Sequence, residues 1–217
     1  MGRASSSKKV ARVARAGGRG ARTGPRRNLG FPAIITLIVV LGVSLLVFAK
    51  LSQDDAEASP SLSDHWHAAY GVFVCDEFIP PFDGQDDPVG IHSHADGVIH
   101  IHPFDAAVAG EDATLGVFFE TMDGELADEA IRLPDGSAVT EGEDDCAGED
   151  AVVQVARWEH ADQLGTGPEV RVEDVAAVRF ENDFEAYTIA FAPEGSELPP
   201  PPTIPMLDQL TDVTGAG

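Results

Sequence analysis

Beyond residue 50 the chain has almost no basic side chains: only four of its 14 Lys and Arg lie there, against all 37 Asp and Glu, a balance of −33. Such a surface repels phosphate, which excludes DNA and RNA as partners of this part. Two readings of the acid remain: a solvated face suited to high salt, or a field that concentrates cations near a binding site. Residues 1–50 are the converse, with ten Lys and Arg and no acid. The chain holds three methionines, one of them inside a helix candidate, which argues against a methionine-rich copper(I) site. Also missing are a Gly-x-Ser-x-Gly elbow, Cys-x-x-Cys, His-Glu-x-x-His and a phosphate loop. No repeat of useful period occurs either. These absences make an enzyme the weakest reading, and no catalytic residue is assigned.

What the chain does have is one long apolar run. Phe31–Ala49 contains 19 residues without a charge. As a helix it spans roughly 28 Å, close to the hydrocarbon thickness of a bilayer. Thr36 and Ser44 are tolerable there, because a hydroxyl can bond back to a carbonyl in the preceding turn. Nine basic residues, Arg3 to Arg27, precede the run. The positive-inside rule then puts the N-terminus in the cytoplasm and the acidic part outside a plasma membrane. A basic tail beside a span reads as a topology signal and lipid contact more readily than as a nucleic-acid site. The rival is a cleaved signal peptide with a site at Ala56–Ala58, but the run exceeds the ~7–15 residues of such a segment. The expected organisation is a basic tail at 1–28, a single-pass helix at 29–50 and a flexible stalk at 51–63. A globular domain at 64–198 and a Pro-rich tail at 199–217 follow.

In the outer domain, Ala68–Cys75 reads as a strand, and Pro80–Pro88 as a turn-rich connection. Asp112–Met122 reads as a short helix capped by Asp112 or Thr114, with Leu115, Phe118, Phe119 and Met122 at helical spacing. Ala130–Val139 reads as a hairpin turning at Pro134-Asp135-Gly136. Val152–Trp158 and Glu185–Phe191 are strand candidates, and Glu173–Phe180 is a helical turn or an edge strand. Pro199–Pro205 must be extended, on the surface or disordered. The fold class expected is α+β, with a mainly antiparallel or mixed sheet. Cys75 and Cys146 both lie outside the membrane span, where a disulfide is permitted. The alternative makes Cys75 a metal thiolate beside His65 and His67.

Six of the seven histidines fall within residues 65–102, as three His-x-His pairs. On a strand such a pair puts both rings on one face. In Ile91–Phe104 the register decides whether His92, His94, His100 and His102 share that face. A two-residue turn at Asp96-Gly97 splits them; a three-residue loop at Ala95-Asp96-Gly97 pairs His92 with His100 and gathers all four. The second register leaves Ile91, Ser93, Ile99 and Ile101 on the opposite face, and burial of one nearly apolar face favours it. With His65 and His67 these rings form a candidate site for zinc, copper(II), nickel or iron, with Asp96 or Asp105 completing the shell. The rival reading is a polar sheet face whose histidines make ordinary hydrogen bonds.

The block Gly90–His102, G-I-H-S-H-A-D-G-V-I-H-I-H, followed by A-T-L-G-V-F-F at Ala113–Phe119, resembles a family of small, membrane-anchored, uncharacterised bacterial and archaeal proteins. The resemblance spans about half the outer domain and implies a single anchor but no activity. The His-x-His is also similar to the first cupin motif, but Ala95–Ile99 lacks the glutamate that motif needs, so cupin chemistry is not carried over. The expected function is a membrane-anchored, extracytoplasmic domain that binds a transition metal for holding or delivery. The alternatives are a scaffold that engages an envelope protein, and a metalloenzyme. The expected partners are the bilayer, through 29–50, and an envelope protein.

Overall fold

A computed structural model describes residues 30–54, 59–84 and 86–210. The basic tail at 1–28 and part of the expected stalk, residues 55–58, lie outside the described residues.

Helix α1 (Gly30–Asp54) covers the apolar run, and its stretch Gly30–Val47 is long and apolar enough to cross a membrane. Its described residues from Phe31 to Val47 carry no charge. The Thr36 hydroxyl donates to the Pro32 carbonyl, one turn back, at 2.9 Å. The helix continues through residues 51–54, where a stalk was expected.

The domain beyond is α+β. Its strands are β1 (Trp66–Val74), β2 (Glu77–Phe78), β3 (Ile91–His92), β4 (Val98–Ile101), β5 (Glu125–Ala127), β6 (Ala130–Arg132), β7 (Ala138–Thr140), β8 (Asp145–Cys146), β9 (Glu149–Asp150), β10 (Val152–Trp158), β11 (Glu169–Arg171) and β12 (Glu185–Ala192). Helix α2 (Leu115–Thr121) lies between β4 and β5, and α3 (Ile204–Leu207) follows β12. The main sheet runs β11-β10-β12-β1-β4-β3, with β2 also paired to β1. It is mixed: β1 and β12 are parallel, and the other pairs are antiparallel.

β1 and β12 are central, so both of their faces are covered and their sequences are apolar almost throughout. One face carries large residues: Tyr70, Val72, Ile91, Ile99, Ile101, Tyr187, Ile189 and Phe191. Against them pack Leu115, Phe118, Phe119 and Met122 of α2, the predicted helical spacing. Of the two expected caps, Thr114 serves: its hydroxyl accepts the Val117 N–H at 3.3 Å. The helix ends with Asp123 at φ 59° and the Gly124 N–H on the Phe119 carbonyl. Glu173–Phe180 resolves into a 3-10 turn at Val175–Ala177, followed by a bridge from Arg179 to Thr114.

The other face carries small residues at its centre: Ala69, Ala156, Ala186, Ala190 and Ala192. Small side chains let another segment approach closely, and the C-terminal chain does so. Pro199–Pro205, expected on the surface or disordered, instead folds back over this face. Leu198, Pro201 and Leu207 are buried, and the Thr203 hydroxyl donates to the Tyr70 carbonyl at 2.8 Å. Residues 59–63 are likewise attached to the domain, since the Pro60 carbonyl accepts the Gly110 N–H at 2.7 Å. Cys75 and Cys146 form a disulfide with Cα atoms 5.2 Å apart, so Cys75 is no metal thiolate.

Candidate metal centre

The hairpin adopts the three-residue register. His92 pairs with His100 and Ile91 with Ile101, and Ile91, Ser93, Ile99 and Ile101 are fully buried on the opposite side. Both Ala95 and Gly97 take left-handed φ angles, 61° and 73°. At Gly97 a Cβ would lie 2.1 Å from Thr203 Cγ2, so the C-terminal segment clamps the loop and admits only glycine.

Antiparallel pairing of β1 with β4 then sets His67 opposite His100. One row of rings, His67, His100 and His92, therefore crosses three adjacent strands. His65 and His102 form a second row just past the ladder, with ring centroids 5.1 Å apart. Neighbouring rings throughout the six-histidine cluster lie 4.4–5.5 Å apart. The third position of the second row is Gly90, whose carbonyl accepts the His102 N–H at 2.7 Å. Gly90 has φ 89°, and a Cβ there would lie 2.2 Å from the His102 carbonyl oxygen. With no side chain at Gly90, Asp87 supplies the acid at this end, its Oδ1 accepting the Gly90 N–H at 2.6 Å.

Asp87 was not singled out from sequence. It sits in a stretch read only as turns, and in a chain with 37 acids a nearby carboxylate carries little signal. The fold brings it in by pinning the preceding segment along β3. The Phe82 N–H donates to the buried Tyr70 hydroxyl at 2.7 Å, and Asp83 bridges His94. Burial pushes that tyrosine up to about 12, so it stays a neutral partner.

Two groups of three side chains have ligand atoms within 4.8 Å of one another: His65, His67 and His100, and Asp87, His92 and His102. In the second group, Asp87 Oδ2 lies 3.2 Å from His92 Nδ1 and 3.6 Å from His102 Nε2. Ligand atoms around a tetrahedral ion with bonds of ~2.0–2.1 Å stand about 3.4 Å apart, so these spacings suit a shared cation. His92 Nδ1 is buried and, despite that approach, has no hydrogen-bond partner. Its other nitrogen, Nε2, lies 2.8 Å from His94 Nε2. If Nε2 carries the proton toward His94, Nδ1 presents a lone pair beside the carboxylate, an arrangement that a cation between them stabilises. Burial, the largest influence, pushes His92 down to about 4, outweighing the upward pull of Asp87.

His100 is oriented by a carboxylate as metal-binding histidines are. Its Nε2 lies 3.1 Å from Asp96 Oδ2, while Asp96 Oδ1 accepts the Val98 N–H at 2.9 Å. Burial would raise Asp96, but the bonds from His100 and Val98 and the His100 charge bring it to about 2. Asp96 thus supports a ring. Asp105, the other expected carboxylate, is exposed and caps a turn by accepting the Ala107 N–H. Asp183, also unanticipated, accepts the His67 backbone N–H at 2.8 Å and fixes the start of β1; burial raises its carboxyl. His160 stands apart from the cluster, lining a separate cavity of about 490 Å³ with Asp183 and Phe184.

The expected ligands are all drawn together, but not in the expected grouping. His65 and His67 stand with His100, and His94 belongs to neither trio, instead bonding to His92. The chain matches no family model, no curated protein and no solved structure, so any functional reading rests on this geometry.

Proposed function

We propose that this protein is anchored by α1 in a plasma membrane and holds a divalent transition metal on its acidic outer domain, for storage or delivery. The observation that carries this reading is the convergence of six imidazoles and Asp87 on one sheet face, five of the imidazoles and Asp87 having ligand atoms close enough together for a coordination shell. Imidazole and carboxylate together suit zinc, copper(II) or iron(II). The nine basic residues before the span, on the positive-inside rule, keep the N-terminus in the cytoplasm and put the domain outside. On that side a disulfide persists. The negative field raises the local cation concentration, which serves uptake.

The test is metal content by plasma mass spectrometry on the full chain, exported through an oxidising compartment and purified in detergent without a histidine tag. We expect stoichiometric zinc, copper or iron, lost in large part from a His92→Ala/His102→Ala variant. A protein that arrives metal-free and takes up none of these ions on titration overturns the reading. The histidine face would then be structural, and an envelope protein would become the partner to seek.

A further inference from the structure

The six-histidine face contains more ligands than one ion can use. A four-coordinate zinc takes at most four, whereas the face offers six imidazoles and Asp87. Six of these seven divide by geometry into two sets with different donors, and His94 stands outside both. His65, His67 and His100 bring three imidazoles from the entry of β1, β1 itself and β4. Asp87, His92 and His102 bring two rings and a carboxylate from β3, the exit of β4 and the pinned segment before β3. The sets share no residue, yet they touch along a common border: His65 with His102 at 5.1 Å and His92 with His100 at 5.5 Å between ring centroids.

We infer that the face is a two-ion centre, with one divalent transition-metal ion on His65, His67 and His100 and a second on Asp87, His92 and His102. This rests on the metal-binding reading above and adds the number of ions and their ligands. The second trio has the stronger geometric support, because the buried Nδ1 of His92 faces Asp87 at 3.2 Å without hydrogen-bond geometry. The first has outer support: Asp96 Oδ2, 3.1 Å from His100 Nε2, orients that ring. The two sites differ in charge, since three imidazoles leave a divalent ion at +2 and the Asp87 set reduces it to +1. The Asp87 site therefore fills first, and the all-histidine site releases its ion more readily. His94, exposed and bonded to His92, supports the second trio by orienting that ring. Each trio leaves room for a fourth ligand from solvent or a partner.

The experiment is a titration of the chelator-stripped full chain in detergent with cobalt(II), read by its visible absorption, and with zinc(II), read by calorimetry. Two equivalents, in two phases, are expected. His65→Gln should abolish the weaker phase and leave the tighter one. His102→Gln should abolish the tighter phase and leave the weaker. Both side chains lie toward the open end of the cluster, where substitution spares the core. Asp96→Asn should weaken only the His65/His67/His100 phase, by roughly 10–100-fold. A single equivalent removed by either glutamine variant overturns the two-ion centre and leaves the metal-binding reading standing. Absence of binding by either metal overturns both.

Discussion

His92 is the side chain on which most of the site's constraints meet. Its backbone pairs with β4, one nitrogen meets His94, the other approaches Asp87, and 4 % of the residue is exposed. With its folded pKa near 4 against an ordinary 6.5, the unfolded chain takes up a proton in that window that the folded chain refuses. Stability of the metal-free protein therefore falls as pH drops from 6.5 toward 4, by up to about 3 kcal/mol from this ring alone. Denaturant unfolding at the two ends of the window should show that loss in the parent and a shallower slope in His92→Gln. Equal slopes would mean the ring is hydrated and not buried as described.

At the scale of the element, the join between β10 and β12 is held by more than apolar packing. Arg157 donates from Nε and Nη2 to Glu185 Oε1 at 2.8 and 2.6 Å, and its Nη2 also lies 2.6 Å from Glu181 Oε2. The Tyr187 hydroxyl donates to the other Glu185 oxygen at 2.5 Å, and Glu185 is fully buried. Burial works against the Arg157 charge, but the Glu185 and Glu181 carboxylates hold it charged above its usual range. Arg157→Met strands a buried carboxylate and should cost about 3–5 kcal/mol in urea unfolding, whereas Arg157→Met with Glu185→Leu should recover much of it. A single variant within a few tenths of a kcal/mol of the parent would show the pair to be solvated. The hairpin of β3 and β4 obeys a different logic. Its register was legible in the sequence because Ile91, Ile99 and Ile101 lie on one side and the histidines on the other, and a slip of one residue would mix the faces.

For the whole molecule, the Cys75–Cys146 disulfide is the longest-range covalent constraint, closing a separation of 71 residues between the end of β1 and the β8–β9 hairpin. In the chain-entropy model that closure stabilises by about 4 kcal/mol. Reduction should lower the urea midpoint accordingly. Metal affinity should change far less, because strand pairing and not the disulfide places the ligands. An unchanged midpoint would show that the reduced chain stays closed by its core alone.

The sequence by itself determined what depends on local pattern and chemistry. The membrane-length run follows from 19 uncharged residues, α2 from its spacing and the Thr114 cap, and the gathering of four histidines from the hairpin's one apolar face. Only the tertiary structure decided what depends on pairing between distant segments. β1 lies beside β4 and so brings His65 and His67 to the other rings. β12 runs parallel to β1, and the Pro-rich segment crosses the alanine face instead of lying free. Asp87 is chosen from among many acids because Tyr70 and Gly90 fix the path of its loop. Periodicity reports which face of a segment is buried; it carries no information about which other segment buries it, and that choice assembles the site.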